Sequence, residues 1–198
     1  RLGEWVLRDA CRMAAQRIAA GADPIRVTVN MSAAQLAAPD LVGVVQLVLA
    51  ETGLPACLLE LEITESVMIP NFEGGERVLN RLREIGVSIS IDDFGTGYTA
   101  LQVLHGLPVE KLKIDRTFVW EIDDGERVPP VVKAIVEIGR AFGLRVVAEG
   151  VENEAQLACM QALGVDQIQG FHIARPTRAA IFEQWLSENS PARAMVVS

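Results

Sequence analysis

The sequence is poor in the residues that several common chemistries require. It holds three cysteines, Cys11, Cys57 and Cys159, an odd number, widely separated and without Cys-x-x-Cys spacing. That pattern supplies neither a disulfide framework nor a zinc cage and suits a reducing compartment, so a cytoplasmic location is expected. The two histidines, His105 and His172, are far apart, which argues against a histidine-based nucleophile or zinc site, and no Ser, His and Asp arrangement presents itself. No apolar run reaches the ~18 to 20 residues that cross a bilayer, and no basic segment followed by an apolar one opens the chain, so no direct membrane insertion is expected. Basic residues are outnumbered, 18 Lys and Arg against 26 Asp and Glu, for a formal charge of −8. Such a balance argues against a partner that is a nucleic-acid polymer, and any anionic ligand has to be met by locally placed cations.

What is present is a core-forming chain. Half of the 198 residues are hydrophobic, enough for one compact domain, expected over residues 1–190 with a C-terminal tail at 191–198. Apolar residues recur at helical intervals over residues 4–20, and Trp5, Trp120 and Trp185 read as core or packing residues. A β-branched strand around Ile25, Val27 and Val29 follows, stopping at Asn30. Helices are then predicted near 39–52, 73–85, 99–104, 130–142, 154–163 and 178–188, with strands at 58–63, 87–91, 111–114, 144–148 and 166–168. The only linker-like stretch is the turn at 123–126. Six strands alternating with helices imply a mostly parallel sheet, because a parallel neighbour needs a crossover connection. An open doubly wound sheet would concentrate its chemistry at one switch point, whereas a barrel draws on the carboxyl ends of many strands.

The polar residues have the second distribution. Immediately after the predicted strands stand Asn30, Glu62 with Glu65, Asp92 with Asp93, Lys113 with Asp115, Glu149 with Glu152, and Gln169. In a parallel barrel these strand ends meet at one mouth. Carboxylates gathered there repel one another unless cations neutralise them, and hard oxygen ligands suit Mg²⁺ or Mn²⁺. Adjacent Asp92 and Asp93 fit a pair of divalent ions, one carboxylate bridging both. Each acidic residue alone has a plain alternative as a helix cap: Asn30 with Ser32, and Thr64 with Glu65, carry that alternative here. Lys113 among carboxylates is either a structural ion-pair partner or a catalytic cation. The two-glycine run Phe94-Gly95-Thr96-Gly97-Tyr98 is a weak phosphate-loop signal on its own, and informative only through the Asp92-Asp93 prefix.

The runs Val29-Asn30-Met31-Ser32, Glu62-Ile63-Thr64-Glu65, Asp92-Asp93-Phe94-Gly95-Thr96-Gly97-Tyr98, Lys113-Ile114-Asp115, Glu149-Gly150-Val151-Glu152 and Gln169-Gly170-Phe171 resemble the EAL domain in order and spacing. The resemblance implies a modified (β/α)₈ TIM barrel of the α/β class, present as about six β/α units, and hydrolysis of the bacterial messenger cyclic di-GMP to linear pGpG with two Mg²⁺ or Mn²⁺ ions. It further implies Asn30, Glu62, Asp92, Asp93 and Glu149 as metal ligands, with Glu149 also a candidate general base. Lys113 would orient the attacking water, Gln169 support it, and Glu152 assist in the outer shell or at substrate. Glu65 resembles the residue that holds the loop Phe94, Gly95, Thr96 and Gly97, a segment associated in the family with dimerisation and control. Thr99-Ala100 stands where paired serines are common.

The first two strands of the family pattern, bearing the Glu-Ala-Leu signature, are not among these residues. The expectation is a longer polypeptide or a partner chain that covers the edge of the strand ending at Asn30. The resemblance also implies a homodimer and an upstream sensor or GGDEF-type domain, in some cases tethered to a membrane protein. The alternative function is a catalytically inactive cyclic di-GMP sensor or interaction module, whose relatives typically lose acidic positions that are retained here.

Overall fold

The computed structural model describes residues 2–65, 75–97, 101–122 and 127–189. The expected tail at 191–198, the turn at 123–126 and positions Tyr98, Thr99 and Ala100 lie outside them. In chain order the elements are α1 (Leu2–Ala19), β1 (Val27–Met31), α2 (Ala33–Leu36), α3 (Leu41–Thr52), a 3-10 turn (Ala56–Leu58), β2 (Leu59–Thr64), α4 (Gly75–Glu84), β3 (Ser88–Phe94), α5 (Leu101–Gly106), β4 (Lys111–Ile114), α6 (Arg116–Trp120), α7 (Pro130–Phe142), β5 (Arg145–Ala148), α8 (Glu154–Leu163), β6 (Gln167–Ile168) and α9 (Ala179–Glu188). The strands lie in the sheet in sequence order, β1-β2-β3-β4-β5-β6. The chain forms two compact units, residues 1–111 and 112–198.

The first unit is built on a sheet with two chemically opposite faces. β1, β2 and β3 pair in parallel, with Val29 opposite Leu61 and Leu61 opposite Ile89, and with Asn30 opposite Glu62 and Glu62 opposite Ser90. Paired residues share a face, and successive residues alternate. One face therefore carries Val27, Val29, Met31, Leu59, Leu61, Ile63, Ile89 and Ile91, while the other carries Thr28, Asn30, Glu60, Glu62, Thr64, Ser88, Ser90 and Asp92. The apolar face supplies the core, with Leu59, Leu61, Ile63, Ile89 and Ile91 essentially inaccessible. Helix α1 packs on β1 and α3, and α4 on β3, with Leu79 and Leu82 buried.

On the polar face Glu60, Glu62, Ser88 and Ser90 are buried as well, which is unusual for an alternating strand and demands internal partners. Glu60 is 2% exposed and receives Lys111 Nζ at 2.7 Å and Arg26 at 3.3 Å. Ser88 donates its hydroxyl to Glu110 at 3.2 Å. Burial pushes the Glu60 carboxyl up, but the hydrogen bond and charge of Lys111, aided by Ser90 and Arg26, outweigh it and hold the group below the usual carboxylate range. This network sits at the amino ends of the strands, while the carboxyl ends carry Asn30, Glu62 and Asp92.

In the second unit α7 begins with Pro130, whose fixed φ suits a first helical turn, and buries Val132, Ile135, Val136 and Gly139. It packs on β5 and α6. β5 and β6 pair in parallel through Val147 with Gln167 and Ala148 with Ile168. Helix α8 starts at Asn153, whose side chain accepts from Gln156 N.

The structure corrects the sequence reading in three respects. Of the polar residues placed after the first three strands, Asn30, Glu62, Asp92 and Asp93 lie within them and Glu65 directly follows β2, since β1 reaches Met31, β2 reaches Thr64 and β3 reaches Phe94. Two short helices, α2 and α6, occupy stretches read as strand exits. Ser32 starts α2 with a capping box to Gln35, and Asp115 starts α6 by accepting from Thr117 N at 2.8 Å. Finally, Trp5 and Trp120 are 60% and 47% exposed and are not core residues. Trp5 lies off the α1 stripe formed by Leu7, Cys11 and Ala14, and Trp120 keeps its indole N–H on Gly150 O at 3.0 Å.

Candidate active site

In the first unit the strand register gathers the acidic candidates. Asn30, Glu62 and Asp92 share the polar face of β1, β2 and β3. Glu62 is buried, Asp92 and Asp93 are half-buried, and Asn30 is exposed. Strict alternation would send Asp93 to the opposite face from Asp92. It does not, because Asp93 takes φ 54°, the sole left-handed non-glycine among the described residues. Aspartate tolerates that conformation better than most residues, at a cost, and such outliers concentrate at functional sites. The turn brings a carboxylate oxygen of Asp93 within 4.8 Å of one of Asp92.

The segment that follows is held by Glu65. Its Oε2 accepts from Gly95 N at 2.8 Å and from Gly97 N at 3.1 Å, and it is 3% exposed. A β-carbon at Gly97 would stand 2.9 Å from the Glu65 carboxyl carbon, so the close approach requires glycine. Thr96 donates its hydroxyl to Asp93 O at 2.8 Å, and Phe94 is buried. Glu65 thus fixes the backbone directly after the paired aspartates.

In the second unit Lys113 is 3% exposed between Leu112 and Ile114, and its ammonium is ion-paired with Glu149. The Glu149 N–H donates to Ile114 O at 3.2 Å, which fixes the start of the loop after β5. That loop is tied to the one after β6: Gln169 N donates to Ala148 O at 2.8 Å, and Val151 N to Gln169 O at 3.1 Å. Glu149 and Gln169 are half-buried and Glu152 is exposed, its N–H on Gln156 Oε1 at 2.8 Å. His172 is paired with Glu154 at 3.2 Å.

Three features escaped the sequence reading. Glu60 and Lys111 were not singled out, although their positions two residues before Glu62 and Lys113 carry a period-2 signal. Trp120, with Arg116 over its ring at 5.1 Å, and Phe171, with Arg175 over its ring at 4.6 Å, are aromatic and cation pairs that only the fold reveals.

Comparison with known proteins gives this arrangement its context. The chain is 42% identical over 186 residues to the cyclic di-GMP phosphodiesterase NbdA of Pseudomonas aeruginosa, covering 94% of the chain and 24% of the relative. It is 37% identical over 184 residues to the cyclic di-GMP phosphodiesterase PdeR of Escherichia coli, covering 93% of the chain and 28% of the relative. It therefore spans about a quarter of the length of these relatives. Among solved structures, the PaMucR phosphodiesterase in complex with c-di-GMP superposes with a TM-score of 0.86 at 42% identity, covering 91% of this chain and 73% of that one. The EAL domain of Mycobacterium smegmatis DcpA gives a TM-score of 0.88 at 39% identity, covering 94% and 84%. The α/β fold is thus that of EAL structures, which are modified TIM barrels. With the EAL domain profile matching residues 1–176, the chain belongs to the EAL domain family.

Proposed function

We propose that this chain hydrolyses cyclic di-GMP to linear pGpG in a metal-dependent reaction. The observation that carries the reading is the left-handed turn at Asp93, which sets two adjacent carboxylates side by side at the end of β3. Such a pair repels itself unless cations lie between or beside the oxygens. The donor set is all hard oxygen and belongs with Mg²⁺ or Mn²⁺ and not with softer metals.

By resemblance to the family, Asn30, Glu62, Asp92, Asp93 and Glu149 would hold two ions, the first four standing at the carboxyl ends of β1, β2 and β3. Bound there, the ions would acidify a water and offset negative charge on the phosphodiester. The ammonium of Lys113 has three donors. Ion-paired with Glu149, it would orient the water and meet the phosphate oxygens. Glu149 takes the water proton, and Gln169 and Glu152 support the positions of water and substrate. The water oxygen forms a bond to phosphorus as one P–O3′ bond breaks, and the leaving 3′ oxygen is protonated, so a cyclic dinucleotide plus water becomes a linear one with a 5′ phosphate. Buried Glu65 keeps Gly95 and Gly97 in place, which holds Asp93 in its turn. Names among the relatives support the substrate, and a bifunctional diguanylate cyclase/phosphodiesterase among them, 42% identical over 179 residues, suits an upstream GGDEF-type domain and homodimeric control.

The test is incubation of the natural polypeptide with cyclic di-GMP and Mg²⁺ or Mn²⁺, with and without excess chelator, following pGpG by chromatography. Chelator-sensitive pGpG is the expected result, reduced at least a hundred-fold by Asp92→Asn or Lys113→Met. Binding without turnover would instead identify a sensor.

A further inference from the structure

Within the second unit Lys113 and Glu149 depend on one short stretch of chain. β4 carries Lys113, and α6 begins directly after Asp115, whose side chain caps it. The helix ends at Trp120, whose ring is 47% exposed and therefore adds little to the core. The polar edge of that ring is committed all the same. Its Nε1–H donates to Gly150 O at 3.0 Å, and the guanidinium of Arg116 lies over the ring at 5.1 Å from the centroid. Gly150 is shaped for this contact. It takes φ 69°, and a β-carbon there would stand 2.5 Å from Arg116 Cβ and 3.2 Å from Trp120 Nε1, so only glycine lets the loop after β5 come down on α6. Gly150 directly follows Glu149. The Glu149 N–H donates to Ile114 O at 3.2 Å, the carbonyl one residue on accepts from Trp120, and the Glu149 carboxylate is ion-paired with Lys113. The stretch that delivers the lysine therefore also fastens the glutamate on both sides.

Resting on the phosphodiesterase reading, we propose that Trp120 is a positioning residue for Glu149, holding its carboxylate at the Lys113 ammonium through the indole hydrogen bond to Gly150. A general base works only within hydrogen-bond reach of the proton it takes, and a misplacement of about 1 Å can cost roughly a hundred-fold in rate. A surface loop supplies that accuracy only when a rigid element holds it. Indole suits the task, being a planar group that donates one hydrogen bond and has no acceptor of its own to satisfy. Arg116 stacked on its face limits the swing of the ring. Because Glu149 acts on the attacking water, its displacement falls on kcat and leaves KM nearly unchanged.

The test compares the natural polypeptide with its Trp120→Phe variant, which keeps an aromatic ring under Arg116 and removes the donor. The variant is expected to lower kcat for cyclic di-GMP roughly ten-fold, with KM within about two-fold and Tm within about 4 °C. Amide hydrogen exchange of the metal-free protein is the second readout. Exchange at Glu149 and Val151, on either side of Gly150, is expected to quicken roughly ten-fold, while that at Val147 inside β5 holds. An unchanged kcat overturns the inference. So does a fall in kcat that tracks a lowered Tm, or one that leaves exchange at Glu149 and Val151 untouched. Failure of the unsubstituted protein to turn over cyclic di-GMP overturns the phosphodiesterase reading itself, whereas turnover with kcat unmoved by Trp120→Phe overturns this inference alone.

Discussion

A single backbone angle decides whether two neighbouring carboxylates can work together. Asp92 and Asp93 were legible in the sequence as a pair, but their convergence was not, because a strand reading sends them to opposite faces. The positive φ of Asp93 resolves this, and it carries a conformational cost. Substitutions should separate that cost from the chemistry. Asp93→Gly is expected to be as stable as the parent or up to about 1 kcal/mol more stable by urea unfolding, while abolishing metal-dependent hydrolysis. Asp93→Val, with a β-branched residue in the same turn, is expected to lose about 2 kcal/mol. If both variants unfolded alike, backbone strain would not reside at this position.

Helices and strands formed where apolar periodicity was strong, and their type was legible from sequence throughout. Boundaries and short elements were not. α2 and α6 span four and five residues, too short for a periodic signal, and depend on local caps at Ser32 and Asp115. Strand ends were drawn short, at Asn30, Ile63 and Ile91, whereas β1, β2 and β3 run on to Met31, Thr64 and Phe94. Longer elements obey the ordinary rule that the apolar stripe carries the stability. Leu82 of α4 is fully buried, whereas its neighbour Arg83 is exposed. Leu82→Ala is expected to cost about 3 kcal/mol, and Arg83→Ala less than about 0.5 kcal/mol, in the urea midpoint of the same protein. Equal costs would mean that α4 is not anchored through that stripe.

At the scale of the whole molecule, alternating strands and helices were enough to reach the fold class, and the order of polar motifs was enough to reach the family. The buried ion network at Glu60 was not foreseen, since a polar residue in a period-2 pattern reads as facing water. Its carboxyl is held below the usual range, so the folded state binds fewer protons there than the unfolded chain. The stabilisation is complete above the unfolded carboxylate value of about 4.3 and is lost as pH falls through the lower folded one. Lys111→Met removes the nearest cation, and a loss of about 3 kcal/mol at pH 7 is expected. Urea midpoints recorded from pH 7 down to pH 3 should fall steeply below about pH 4 for the parent and less steeply for this variant. Parallel acid limbs would show that the network does not govern acid sensitivity.

The two-faced sheet of the first unit also restricts how the chain can vary over time. Shifting β2 by one position against β1 and β3 would exchange Leu59, Leu61 and Ile63 for Glu60, Glu62 and Thr64 against the helices. An inserted or deleted codon inside that strand would therefore bring carboxylates into the apolar layer and remove them from the reactive end in the same step. Reading-frame-neutral indels should survive only in the connections, and length variation among descendants of this sequence should be confined there.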